Sequence, residues 1–84
     1  MYDLIIKSSA EKEMDRLSAR VRGRIVAALE KLRSNPRPRG CLKLKGDDEL
    51  WRIRVGDYRV IYTIQDDVLI VMVVRVALRR DVYS

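Results

Sequence analysis

Apolar positions in the first half of the chain follow one short extended segment and then recur at helical spacing. Residues 2–7, YDLIIK, predict a short strand. Ser8 with Glu11 three positions later is the pattern of a capping box, so we expect a helix to start there. Apolar residues then recur every three or four positions, which predicts two amphipathic helices with a break at residues 18–22. The prolines of residues 34–40, SNPRPRG, end the second helix in a loop.

Beyond that loop the apolar positions alternate with polar ones, as in strands that bury one face. Residues 68–74, VLIVMVV, lack the alternation and are interpreted as an interior strand covered on both faces, after a tight turn at residues 65–69. The resulting order β-α-α-β-β-β-β predicts one α+β domain over residues 1–84. The three alternating runs are predicted as strands at 41–46 (CLKLKG), 50–55 (LWRIRV) and 58–64 (YRVIYTI).

The segment Gly56-Asp57 is typical of a two-residue hairpin loop with glycine in the first position. Such a loop sets the register of the flanking strands and places Arg54 directly opposite Arg59. Arg52 then shares one open face with these two arginines. The other face carries the apolar side chains that the two helices should bury: Trp51, Ile53, Val55, Tyr58, Val60 and Tyr62.

The arginines of the open face are unfavourable for the sheet itself. Arg54 and Arg59 would have Cβ atoms about 5 Å apart, and like charges at that distance repel. Neither strand offers a carboxylate on the same face. A phosphate held by several guanidinium groups explains the cluster. The alternative is that the side chains extend past the sheet edge and are solvated.

Composition favours a polyanionic partner and excludes several kinds of site. Eighteen Lys and Arg against twelve Asp and Glu give a net charge of +6. Thirteen of the eighteen are arginine, whose planar fork of donors suits phosphate. The absence of histidine excludes Ser-His triads and histidine metal ligands, and Cys41, the single cysteine, cannot form an internal disulfide.

We expect no metal, no cofactor and no membrane partner. Asp47, Asp48 and Glu49 lie together but are interpreted as a solvated turn, because a metal site would need further ligands. The apolar run near the N-terminus is too short for a signal peptide, and residues 68–74 are too few to cross a bilayer. These features predict a soluble, cytoplasmic protein.

A second basic cluster closes the chain and contains Arg75, Arg79, Arg80 and Tyr83. The last strand should run antiparallel to the preceding one, so that its exit returns the chain to the hairpin loop beside the open arginine face. Nearby guanidinium groups would lower the pKa of Tyr83 from its ordinary value of about 10, which makes it a candidate for proton transfer. Alternatively, the last residues fray.

Further basic residues fall outside these two clusters. Lys43 and Lys45 alternate with leucines, so we expect them to share a face and to extend the basic surface as candidates for RNA binding. Four arginines of the helical region are interpreted as a solvated face that lies near a partner: Arg16, Arg20, Arg22 and Arg24.

The stretch NPRPRGCLKLKGDDELWRIRVGDYRVIYTIQDD, followed by RVALRRDVY, resembles the RelE/ParE superfamily of toxins from toxin–antitoxin systems, and most closely the RelE-like mRNA interferases. The resemblance implies a small, mainly antiparallel sheet with helices on one face, and cleavage of mRNA in the ribosomal A site. It also implies a RelB-like antitoxin, with operator DNA reached only through the antitoxin complex.

The resemblance also assigns roles to residues of both clusters. Arg52 and Arg54 stand where relatives carry basic residues that contact the RNA backbone. Arg59 corresponds to the arginine that holds the scissile phosphate, Arg79 to a C-terminal arginine of the site, and Tyr83 to the tyrosine of proton transfer. The implied reaction is metal-independent: the ribose 2′-hydroxyl attacks the adjacent phosphate and leaves a 2′,3′-cyclic phosphate and a 5′-hydroxyl.

Two positions depart from the pattern of these relatives. Ala77 and Leu78 stand where many of them have glycine followed by histidine or lysine. Three other functions therefore stay open: an inactive relative that acts through its antitoxin and operon, a ParE-like inhibitor of DNA gyrase, and a plain RNA-binding module.

Overall fold

The computed structural model describes residues 1–46 and 49–80, and in these ranges it contains two helices and five strands in the predicted order. The α+β class is therefore confirmed. The described part of the chain contains no helix long and apolar enough to cross a membrane. The elements are β1 (Asp3–Ile6), α1 (Ser8–Asp15), α2 (Ala19–Ser34), β2 (Leu42–Lys43), β3 (Leu50–Val55), β4 (Tyr58–Gln65) and β5 (Ile70–Leu78).

The strands form one sheet in the order β1-β5-β4-β3-β2. Consecutive strands from β2 to β5 pair antiparallel, and β1 joins the far edge parallel to β5. The expected mainly antiparallel sheet is confirmed. β4 lies in the middle of the sheet between β3 and β5.

Both helices cover the same face of the sheet, as predicted. Each contributes apolar residues at helical spacing, so that one stripe of each helix is buried. The helical part of the core consists of Ala10, Met14, Ile25, Leu29 and Leu32. The strand part consists of Ile53, Val60, Tyr62, Ile64, Val71, Val73 and Val76.

The helix starts differ from two expectations. Lys7 is the N-cap of α1 and Ser8 is already helical, so the predicted capping box is wrong. The backbone N–H of Glu11 donates to the carbonyl oxygen of Lys7, as in an ordinary first turn. The helix break lies at residues 16–18, earlier than predicted, because Ser18 caps α2 and its hydroxyl accepts a hydrogen bond from the Val21 N–H at 3.3 Å.

Two strands also differ from their predicted form. β2 covers only Leu42–Lys43, and the chain then turns through Gly46, whose φ of +135° suits glycine alone. In β5, Val71 is buried but its neighbour Met72 is only half-buried, so the expected covering of both faces is wrong. The physical reason is that α1 and α2 both pack on the same side of the sheet.

Candidate functional site

The hairpin register agrees with the expectation residue by residue. Arg54 pairs with Arg59, and Arg52 pairs with Ile61. Since directly opposite residues share a face, the three arginines lie together on the side of the sheet away from the helices. Gly56 has a φ of +59°, a conformation that side-chain-bearing residues rarely adopt, so the tight loop that sets this register depends on glycine.

The burial of these arginines differs strongly, which corrects the prediction of one open face. Arg54 is exposed and Arg52 is half-buried, whereas Arg59 is only 5% exposed. Arg59 belongs to the central strand β4, where its neighbours in register are Arg54 and Ala77. The buried Nε of Arg52 has no hydrogen-bond partner within the described residues.

Trp51 does not reach the full burial that was predicted for it. Its side chain packs against the core but stays half-buried, and the loop after α2 lies over the indole. There the guanidinium carbon of Arg37 lies 5.1 Å from the ring centroid, a cation–π contact.

A pocket of about 620 Å³ lies at the hairpin end of the sheet. Its walls include Arg59 from β4 and Arg79 and Arg80 from the segment after β5. The backbone N–H of Arg79 donates to the carbonyl oxygen of Asp57 at 2.9 Å, which ties the end of β5 to the hairpin loop. The predicted return of the chain therefore brings three arginines to one concave surface, as phosphate binding requires.

Of the two departures from the sequence pattern of relatives, Leu78 lines this pocket and Ala77 is next to it in the chain. Ala77 stands beside Arg59 in the register of β4 and β5 and is buried. Leu78 pairs with Tyr58, is half-buried and forms part of the pocket wall. Leu78 presents an apolar surface without a titratable group.

Of three further predicted site residues, Lys43 and Lys45 do not line the pocket, and Tyr83 lies outside the described residues. Lys43 pairs with Trp51 and so belongs to the helix side of the sheet, which makes the expected extension of the arginine face wrong at this position. Lys45 follows β2 and is exposed. Tyr83 lies outside the described residues, as do Asp47 and Asp48 of the predicted acidic turn.

Arg75 belongs to a different environment from Arg79 and Arg80. Its Nε lies 3.5 Å from the Glu13 carboxylate of α1. The two residues also line a separate pocket of about 330 Å³ beside α1. Arg75 pairs with Ile61 and so shares the face of the arginines, but its ion pair with Glu13 and its separate pocket set it apart from Arg79 and Arg80.

Glu13 is a residue that sequence reasoning missed. β1 pairs with β5 only as far as Val73, so the next part of the β5 edge has no strand partner. The Glu13 carboxylate fills this place and accepts a hydrogen bond from the backbone N–H of Val76 at 2.8 Å. No local signal could reveal this contact, since the two residues are 63 positions apart. The contact holds the strand segment that leads to Arg79.

An ion-pair cluster at the opposite end of the sheet was also missed, because residues 65–69 were interpreted as a plain turn. Arg37 donates two hydrogen bonds to the Asp66 carboxylate, at 3.2 and 2.7 Å, and the Tyr2 hydroxyl donates a third at 2.6 Å. The bonds from Arg37 and then from Tyr2 lower the pKa of Asp66 to about 2. The hydrogen bond to the same carboxylate raises the pKa of Tyr2.

Comparison with known proteins identifies the family of the chain. The family described as the ParE toxin of the type II toxin–antitoxin system parDE matches residues 4–83. A curated relative assigned as toxin RelE1 of Methanocaldococcus jannaschii is 34% identical over 59 residues, which cover 67% of this chain and 66% of the relative.

Solved RelE toxins have the same fold. The archaeal RelE–RelB complex of Pyrococcus horikoshii OT3 matches with a TM-score of 0.83 and 28% identity, over 93% of this chain and 94% of that one. The isolated E. coli RelE toxin matches with a TM-score of 0.81 and 29% identity, over 99% and 92%. The chain therefore belongs to the ParE toxin family of type II toxin–antitoxin systems, within the RelE/ParE superfamily, and is a RelE-like toxin.

Proposed function

We propose that this toxin is a ribosome-dependent endoribonuclease that cleaves mRNA and so inhibits translation. The observation that carries the proposal is the pocket at which Arg59, Arg79 and Arg80 meet. A guanidinium group donates two parallel hydrogen bonds to phosphate oxygens, and several such groups around one pocket suit a phosphodiester that gains charge during reaction.

The reaction that fits these groups is an internal transesterification. The ribose 2′-oxygen attacks the adjacent phosphorus and loses its proton, the bond from phosphorus to the 5′-oxygen breaks, and the leaving oxygen takes up a proton. The products are a 2′,3′-cyclic phosphate and a 5′-hydroxyl. Arg59 and Arg79 would stabilise the negative charge that develops on the non-bridging oxygens. Arg52 and Arg54, on the same sheet face, would hold the RNA backbone on either side.

The proton-transfer group of this proposal is Tyr83, because Leu78 leaves no titratable side chain at its place in the pocket wall and the chain contains no histidine. Asp57 lines the same pocket and is the second candidate. The variants Tyr83→Phe and Asp57→Asn separate the two, since each removes one proton-transfer group and keeps the shape of the side chain.

The partners of the proposal are the ribosome with its mRNA and a small RelB-like antitoxin. The ribosome would position the RNA, because a chain of 84 residues offers little surface to grip it. The antitoxin would block the cationic site with acidic and apolar side chains, and operator DNA would be reached through that complex. Solved relatives occur in RelE–RelB complexes, which supports this partner. The site of action would be the cytoplasm, where ribosomes translate.

The test is primer extension on ribosome-bound mRNA, followed by single-turnover cleavage with the parent, Arg59→Ala and Tyr83→Phe. We expect cleavage by the parent only in the presence of ribosomes. Both substitutions should slow the reaction and leave ribosome binding nearly intact. An active parent that neither substitution affects would show that the catalytic site lies elsewhere.

Leu78 favours a second candidate, a toxin that acts by binding without cleavage. An apolar residue in the pocket wall removes one proton-transfer group that active relatives would use. In that case the parent gives no cleavage, and Ala77→Gly with Leu78→His restores some. A gyrase supercoiling assay then distinguishes a ParE-like inhibitor from a protein that acts only through its antitoxin.

A further inference from the structure

Three exposed arginines of the helical region, Arg16, Arg20 and Arg24, are not used by the proposed function and are called the basic stripe here. Arg20 and Arg24 are one helical turn apart in α2, and Arg16 ends α1 just before it. All three are exposed. Their guanidinium groups form no hydrogen bond or ion pair within the described residues.

This arrangement does not favour the helix itself. The first turn of α2 contains no acidic residue, and positive charges near a helix N-terminus oppose its dipole. Arg20 and Arg24 also repel each other at their spacing of four. The other end of α2 shows the favourable arrangement, because its last turn is basic and Arg33 pairs with Glu30 at 3.2 Å.

The basic stripe ends at the hairpin loop. The Arg24 guanidinium lies between 3.5 and 3.8 Å from the point that a Cβ on Gly56 would occupy. On the helix side of the loop, Arg24 and Tyr58 both line a pocket of about 140 Å³. The proposed cleavage pocket begins on the other side of the same loop, at Asp57 and Arg59. Arginines therefore flank the hairpin loop on both sides.

Gly23 adds an independent observation on this stripe. It is an exposed glycine inside α2, and a Cβ at this position would meet nothing within 4 Å. A glycine in a helix interior lowers stability relative to alanine, and here no packing requires it. The bare backbone lies between Arg20 and Arg24 and permits a close approach by a large ligand.

We propose that Arg16, Arg20 and Arg24 bind the phosphate backbone of folded RNA, a second strand distinct from the one that is cleaved. The proposal rests on the proposed function, under which that RNA belongs to the ribosome. Backbone recognition needs charge and access, which the stripe offers. A protein partner would need a large apolar anchor, and the neighbouring positions on this face of α2 are Gly23 and Ala27.

The experiment compares two double variants of the full chain that each lose two positive charges. Arg20→Gln with Arg24→Gln removes the stripe, and Lys7→Gln with Lys31→Gln removes exposed charges away from it. The dissociation constant for 70S ribosomes is measured over a series of salt concentrations. We expect the stripe variant to bind about tenfold more weakly and to lower the salt slope by about 1.4–1.8, and the control to change little.

Two further results would support the proposal, and three would overturn it. Arg20→Lys with Arg24→Lys should keep most of the affinity, and cleavage at saturating ribosome should be the same for the stripe variant and the parent. Equal binding by both Gln variants, no ribosome binding by the parent, or loss of antitoxin binding in place of ribosome binding would overturn it. A parent that binds ribosomes without cleaving mRNA refutes the proposed nuclease alone, since the binding comparison still stands.

Discussion

The two ends of the sheet use arginine in opposite ways. At the β4–β5 turn, Arg37 binds Asp66 through two hydrogen bonds and stacks on Trp51. At the hairpin end, Arg24 and Arg79 form no side-chain hydrogen bond or ion pair within the described residues. One end is closed by contacts of the chain with itself, and at the other end Arg24 and Arg79 keep their charged groups exposed.

From this difference we infer that the arginines of the two ends of the sheet contribute to different properties, stability at the β4–β5 turn and function at the hairpin end. An arginine with a carboxylate partner joins distant segments, as Arg37 joins the loop after α2 to the turn before β5. An arginine whose charge faces a pocket weakens the fold by repulsion and is useful only when an anion arrives. We therefore expect substitutions at the closed end to change unfolding and substitutions at the hairpin end to change RNA chemistry.

The largest expected effect is on catalysis at the hairpin end. Arg59→Ala should lower the single-turnover cleavage rate by about 10²–10³, because it removes a charge-stabilising donor from the transition state. Arg37→Ala should keep the rate and lower the melting temperature. Cleavage kinetics and thermal unfolding are measured on both variants. A loss of cleavage in Arg37→Ala at unchanged stability would refute the division between the two ends.

Glu13 should affect both stability and cleavage, since its carboxylate holds the part of β5 that leads to Arg79. Glu13→Ala should lower the free energy of unfolding by about 1–3 kcal/mol, because the backbone N–H of Val76 loses its acceptor. It should also slow cleavage through displacement of the end of β5. Glu13→Gln keeps a side-chain oxygen as acceptor and serves as the matched control, so equal damage in both variants would contradict this role.

Tyr62 tests the closed end. Its side chain is fully buried, and its hydroxyl donates to the carbonyl oxygen of Pro36 at 2.7 Å, which anchors the loop that carries Arg37. Burial raises the pKa of Tyr62, so the hydroxyl stays protonated as a donor. Tyr62→Phe should lower the free energy of unfolding by about 1–2 kcal/mol, measured by urea denaturation. Cleavage by the folded variant should equal that of the parent.

Gly23 should show a smaller effect of opposite sign. Gly23→Ala should raise the free energy of unfolding by about 0.5–1 kcal/mol, because the added methyl group enters open space and limits the unfolded chain. Urea denaturation measures this gain. If RNA approaches the bare backbone here, ribosome affinity should fall in the same variant. A gain in both stability and affinity would argue against such an approach.

The smallest expected effect is the acid dependence of the closed end. The pKa of Asp66 is about 2 in the folded protein against an ordinary 3.8, so the folded state binds fewer protons in this range. The stability from this carboxylate is present above pH 4 and is lost as the pH falls towards 2. Asp66→Asn should flatten the stability profile of the protein between these values. An unchanged slope in thermal unfolding would show that Arg37 does not hold the carboxylate ionised.

The sequence by itself determined the local geometry of the arginine face. Strand residues alternate between faces, and a two-residue loop with glycine at its first position leaves one register, so Arg54 had to stand opposite Arg59. Helical spacing similarly identified the stripes that pack on the other face. These features could be predicted because each depends on residues close together along the chain.

Only the tertiary structure decided which cations are buried, paired or gathered at a pocket. Arg75 forms an ion pair with Glu13 of α1, Lys43 lies on the same side of the sheet as Trp51, and Arg59 is buried. Arg37 and Arg79 are both arginines of irregular segments, yet one meets Asp66 and the other lines a pocket. The reason is that Arg37 and Asp66, 29 positions apart, and Arg75 and Glu13, 62 positions apart, are brought together by strand order and helix packing, which no local pattern encodes.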